Sequence, residues 1–112
     1  MKLIKTNIEN LAEDKRTLYR LTKARGVNVK DLEADSEHPV DAFALYEGEN
    51  SKGEVQTVLA IISGELKIQT ISKTFISAFL EVAELMEDED YSIKIIKSTT
   101  KAGREFVTCE LA

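Results

Sequence analysis

Tryptophan is absent, and histidine, cysteine and proline occur once each. The single cysteine, Cys109, makes no internal disulfide, which fits a reducing cytoplasm. One histidine, His38, with one cysteine falls short of the usual zinc ligand set. No apolar run reaches the ~18 residues of a membrane helix, and no signal-type apolar segment with a small-residue cleavage site follows Met1. Paired histidines, a nucleophile beside a base, a glycine-rich phosphate loop and cofactor motifs are also missing. The expectation is a non-catalytic chain with no cofactor, metal or small-molecule substrate. The acidic run Glu87–Asp90 lacks the spaced, glycine-bent ligands of a calcium loop and reads as a solvated turn.

What is present suits one globular domain: 112 residues, 43% of them hydrophobic. The net charge of −5 conceals a strong segregation. Residues 1–30 hold eight Lys/Arg against three Asp/Glu, residues 31–90 three against fifteen, and residues 91–112 four against two. Two basic ends flank an acidic middle, and a polyanion responds to the local field rather than to the sum.

The clearest pattern is Glu54–Lys73. Val55, Thr57, Leu59 and Ile61 alternate with Gln56, Val58, Ala60 and Ile62, so both faces are apolar and this strand is expected to be buried on both sides. Ser63-Gly64 supplies a two-residue turn. Leu66, Ile68 and Thr70 then alternate with Glu65, Lys67 and Gln69, which predicts one apolar and one wet face. Ser72 is placed as a helix cap, and Phe75, Ile76, Phe79, Leu80, Ala83 and Met86 recur at helical spacing over Thr74–Glu87. Upstream, Val40–Glu47 alternates as a strand after Pro39. Downstream, Tyr91–Ser98 and Arg104–Leu111 form a second hairpin around Thr99–Gly103. Residues 1–12 read as a loosely held arm, 13–24 as a helix ended by Arg25-Gly26, and 27–39 as a connector.

Three strands, a helix and two strands is the order of the OB-fold, a five-stranded Greek-key barrel in an all-β class. The expected division is an arm, helix and connector over residues 1–36 and the barrel over 37–112. Oligonucleotides bind such barrels between the first and last hairpin loops, here Gly48–Gly53 and Thr99–Gly103.

Three segments also resemble one family. Ile71-Ser72-Lys73-Thr74 leads into a helix; 93–111 carries Lys97, Gly103, Phe106 and Leu111; and 14–32 reads DKRTLYRLTKARGVNVKDL. Together they resemble the small single-stranded DNA-binding proteins of phages and mobile elements of Gram-positive bacteria. The resemblance implies an OB-fold that coats single-stranded DNA during replication, in the cytoplasm of a bacterial host. It also implies partners in the strand itself, in neighbouring copies and in replication proteins. The chain departs from that pattern in its few aromatics and its acidic middle.

Coating a single strand takes cations that track phosphates and flat side chains that stack on bases. The candidate cations are Lys52, Lys67, Lys97, Lys101 and Arg104, with Arg16, Arg20 and Lys23 on the first helix. The candidate stackers are Tyr46, Tyr19, Tyr91 and Phe106, and Gln69 and Thr70 are placed to touch bases or backbone. Phe106 reads equally as a core residue, and the first helix's basic face equally as a solvated one. The competing function is an OB module that binds a protein through the acidic middle.

Overall fold

The computed structural model describes residues 1–112. In chain order the elements are β1 (Lys2–Thr6), α1 (Lys15–Thr22), β2 (Val27–Asn28), a 3₁₀ turn (Val29–Asp31), β3 (Glu37–Pro39), β4 (Ala42–Glu49), β5 (Val55–Ser63), β6 (Leu66–Thr70), α2 (Lys73–Leu85), β7 (Ser92–Thr99) and β8 (Glu105–Leu111). One sheet has the order β1-β4-β5-β6-β2 and the other β3-β7-β8. The two meet where β3 passes into β4. Val40 N–H donates to Tyr91 O (3.0 Å) and Asp41 N–H to Ile62 O (2.9 Å), so the chain leaves β7 for β5 within a single residue. The mostly β composition, the β5–β6 hairpin, α2 and the β7–β8 hairpin all follow the periodicity of the sequence.

The double-sided apolar pattern of β4 and β5 has a direct physical result. Phe43, Leu45, Leu59 and Ile61 point into the main core with Ile68, Ile93, Ile95 and the inner face of α2. The Phe43 and Phe79 rings meet edge-on at 5.1 Å, the favoured quadrupole arrangement. The alternate residues Ala42, Ala44, Tyr46, Ala60 and Ile62 form a second cluster with Leu11 and Leu21. Three alanines there leave room for α1 to lie close to the sheet. Each large buried side chain contributes roughly 1.5–3 kcal/mol, so both faces stabilise the fold.

Several expectations are corrected. Residues 1–12 are not a loose arm: β1 pairs with β4 from Lys2↔Glu47 to Thr6↔Ala44, and Leu11 is buried. The connector holds β2, which pairs in parallel with β6, and β3, which pairs with β7. The β5–β6 turn is Gly64-Glu65, because Ser63 pairs with Leu66. Gly64 takes φ +60° there, a conformation that suits glycine. The far face of β6 is not wet, because the chain after α1 covers it. Gly26 lies so close that a Cβ would stand 3.2 Å from the Lys67 side chain.

The caps follow the sequence. Ser72 Oγ accepts from Phe75 N–H (3.3 Å) at the start of α2, and Asp14 accepts from Thr17 N–H (3.2 Å) at the start of α1. Glu87–Asp90 is an exposed turn after α2, with Asp88 at φ +67°. β8 pairs only with β7, and the outer edge of β6 is taken by β2, so no ladder joins β6 to β8. No helix is long and apolar enough to cross a membrane.

Candidate nucleic-acid interface

The sequence from Lys15 to Lys30 contains six cations and no carboxylate. Asp14 starts α1 and leaves Arg16, Tyr19 and Lys23 on its exposed side, with Tyr19 63% exposed. After the helix, Arg25 is exposed, and β2 and the 3₁₀ turn carry the chain to Lys30. Lys97 Nζ donates to Lys30 O (3.0 Å), which brings the end of this basic segment to the β7–β8 hairpin. Lys30, Lys97 and Phe106 line one cleft of about 530 Å³. At the hairpin tip Lys101 and Arg104 are exposed. The tip is closed by Thr100 N–H to Arg104 O (2.8 Å) and Arg104 N–H to Thr100 Oγ1 (3.2 Å).

The only ion pair in the molecule is Lys94–Asp35, at 4.0 Å. The cations of α1, the segment after it and the hairpin tip therefore have no carboxylate partners. Their charge stays available to an outside anion.

Other expected contacts are used inside the protein. Lys67 is only 5% exposed and its Nζ donates to Ala24 O (2.7 Å), fastening the chain just past α1. Burial lowers its pKa from the usual lysine value. Tyr46 is 7% exposed, packed under α1, and its hydroxyl reaches Thr22 O at 3.4 Å. Burial raises its pKa, and its ring has no free face for a base to stack on. The Arg20 guanidinium donates to Gly64 O, while Gly64 N–H donates to Asp41 Oδ2 (2.6 Å). Arg20 thus clamps the β5–β6 turn. Tyr91 turns its hydroxyl into the interior, where it has no partner. Its pKa is pushed up to about 12 by burial and by the neighbouring Cys109. Thr70 is buried and accepts from Ser72 N–H (3.0 Å).

Lys52 is exposed at the end of the β4–β5 hairpin, whose turn is built on Asn50 Oδ1 accepting from Lys52 N–H and Glu54 N–H. Glu47, Glu49 and Glu54 surround it in the sequence, so this hairpin is net acidic. Lys23, Tyr46 and Gln69 share a second, larger groove of about 790 Å³ on the outer face of the sheet. Gln69 is half-buried there.

Sequence reasoning missed Lys30, Asn28, Gln56 and Lys2. Asn28 is visible in retrospect as a cap, since its side chain accepts from Lys30 N–H (3.2 Å). Lys2 and Lys30 depend on the pairing of β1 and β2, which no local pattern announces, whereas Gln56 sits on β5 and its face follows from that strand's alternation. No His, Cys, Asp and Glu group has the arrangement to hold a metal ion. No protein-family model, curated protein or solved structure matches this chain.

Proposed function

We propose that this protein binds single-stranded DNA, without catalysis, along a cationic track from α1 to the β7–β8 tip. The observation that carries this reading is the run of six cations from Lys15 to Lys30, free of carboxylates and ion pairs, that meets Lys97. In it Arg16, Lys23, Arg25, Lys30, Lys97, Lys101 and Arg104 contact phosphates, and Tyr19 and Phe106 offer ring surface to bases. Phosphate neutralisation supplies most of the affinity, and stacking adds roughly 1–3 kcal/mol per base. The resemblance to the phage and mobile-element DNA-coating proteins agrees with this reading.

We also infer an OB-type barrel whose first strand is β3 continued into β4, followed by β5, β6, β7 and β8, with α2 between the third and fourth. The hand-over at Val40–Asp41 and the position of α2 support it. The missing β6–β8 ladder marks where this chain departs from a closed barrel.

A second reading, a protein-binding module, draws on the acidic cleft of about 510 Å³ that Glu9, Glu84 and Glu87–Asp90 help to line. Fluorescence anisotropy with labelled oligo-dT, duplex DNA and RNA of equal length separates the two. Strong low-salt binding to oligo-dT, with the duplex bound much more weakly, is the expected result. No binding to any of the three contradicts the nucleic-acid reading and leaves the acidic face as the interaction surface.

A further inference from the structure

The larger groove has a lining that phosphate tracking does not explain. Alternation along β5 and β6 turns Gln56, Val58 and Gln69 to the outer face of the sheet. Gly48 lies opposite Gln56, and the parallel β2–β6 pairing sets Asn28 beside Gln69. α1 covers that face over Ala44, Ala60 and Ile62. Beyond the end of α1 the face stays open, and these residues line a groove of about 790 Å³ there. Met1 and Ile71, 64% and 55% exposed, stand at the same groove. The register turns Lys2, Glu47, Glu49 and Val55 to the opposite face of the sheet, so they border the groove without forming its floor.

The floor left by this facing is uncharged. Gly48 adds no side chain and Val58 is half-buried, so aliphatic surface lies low between the amides. Gln56 and Gln69 make no side-chain hydrogen bond within the protein. Asn28 uses its oxygen on Lys30 N–H (3.2 Å), which leaves its NH₂ group to donate. An amide carries donors and an acceptor together and so suits the polar edge of a base, while aliphatic surface takes the face of the ring out of water. A paired base has neither edge nor face to offer. Lys23 lines this groove and also belongs to the α1 track. Asn28 lines it too, and its bond to Lys30 carries the wall over to the cleft by the β7–β8 hairpin. A strand held by its phosphates at Lys23 and Lys30 therefore passes along the groove.

We propose that this groove is a site for an unpaired base of the strand held on the cationic track, formed by aliphatic and amide side chains and indifferent to which base it takes. The indifference follows from the amides, since each can turn about its last bond and exchange donor for acceptor. The inference rests on the single-strand-binding reading. It gives that reading a place for bases besides Tyr19 and Phe106, on a face where the Tyr46 ring is covered.

The test is competition anisotropy of the full chain against oligo-dT, oligo-dC and an abasic strand. All are about twelve nucleotides long, within the usual range for one binding domain. Each base-bearing strand is expected to bind the unaltered chain at least about fivefold more tightly than the abasic strand. The double variant Gln56→Ala/Ile71→Ser, with an unchanged melting temperature, is expected to lower that advantage at least about threefold for dT and dC alike and to keep the salt slope. Where the double variant melts lower, Gln56→Ala alone is read instead, with a fall of at least about twofold expected. A smaller advantage in the unaltered chain, a smaller fall with either base, or an altered salt slope each overturns the groove while leaving single-strand binding on the track standing. No binding to any strand overturns the parent reading, and the groove with it.

Discussion

Lys67 has the residue type and strand position of a phosphate contact, yet its ammonium fastens the chain after α1. Lys67→Ala removes a buried donor and strands the Ala24 carbonyl. It should destabilise the fold by about 1–3 kcal/mol, seen as a lower melting temperature, while the salt slope of DNA binding by the folded variant stays unchanged. A shallower slope would return Lys67 to the interface. Tyr91 and Cys109 are the other buried groups with a measurable signature. Burial pushes both pKa values up to about 12, from ordinary values of 10.0 and 9.0, with Cys109 further raised by Glu110. Each neutral form is favoured in the folded state. The stabilising contribution is therefore complete below pH 9 for Cys109 and below pH 10 for Tyr91, and is lost as pH rises toward 12. Tyr91→Phe removes a hydroxyl without a partner. It should raise stability at neutral pH by about 1 kcal/mol and flatten the alkaline decline in melting temperature above pH 10. A steeper decline in the variant would contradict this account.

At the scale of elements, the sharpest test falls on β1. It covers the edge of β4, and the chain after it fixes β4 by two further bonds, Thr6 Oγ1 to Phe43 O (2.6 Å) and Phe43 N–H to Asn7 Oδ1 (2.8 Å). Deleting residues 1–7 should therefore lower the melting temperature by many degrees, as loss of an integral strand does; an unchanged melting curve would make the segment a dispensable arm. Ser72→Ala should cost about 0.5–2 kcal/mol through the lost α2 cap. The hairpins and α2 were legible because alternation and helical spacing are local, and burial follows them closely. β1, β2 and β3 were not: two of them are three residues or shorter, and β1 has no clean alternation. Their pairing is decided by distant strands. The same reason explains Tyr46. Its alternation with Ala42 and Ala44 was readable, but what covers that face comes from residues 11 and 21. The basic excess of residues 1–30 was legible from composition alone, whereas the meeting of Lys30 with Lys97 required the fold.

At the scale of the whole molecule, charge segregation by sequence becomes segregation by surface. The basic run of residues 15–30 joins the hairpin that carries Lys97, Lys101 and Arg104, with Glu105 the one carboxylate lining their shared cleft, while the β4–β5 hairpin and the turn after α2 carry Glu47, Glu49, Glu54 and Glu87–Asp90. The molecule is flat, 45 × 37 × 23 Å, which gives a strand a long surface to follow for a chain of this size. A net negative charge is then compatible with DNA binding, because screening confines interactions between exposed charges to roughly 8–10 Å at moderate salt. Beyond that distance the acidic regions contribute little. The measurement that tests this most directly is oligo-dT affinity as a function of salt, for the natural chain and for Lys30→Gln/Lys97→Gln. Each phosphate contact adds about 0.7 to the single-strand slope, so the seven cations of the track predict a log–log slope of about −5, and the double variant a slope shallower by about 1.4. Equal slopes in the two proteins, or affinity that ignores salt, would contradict a cationic track through Lys30 and Lys97.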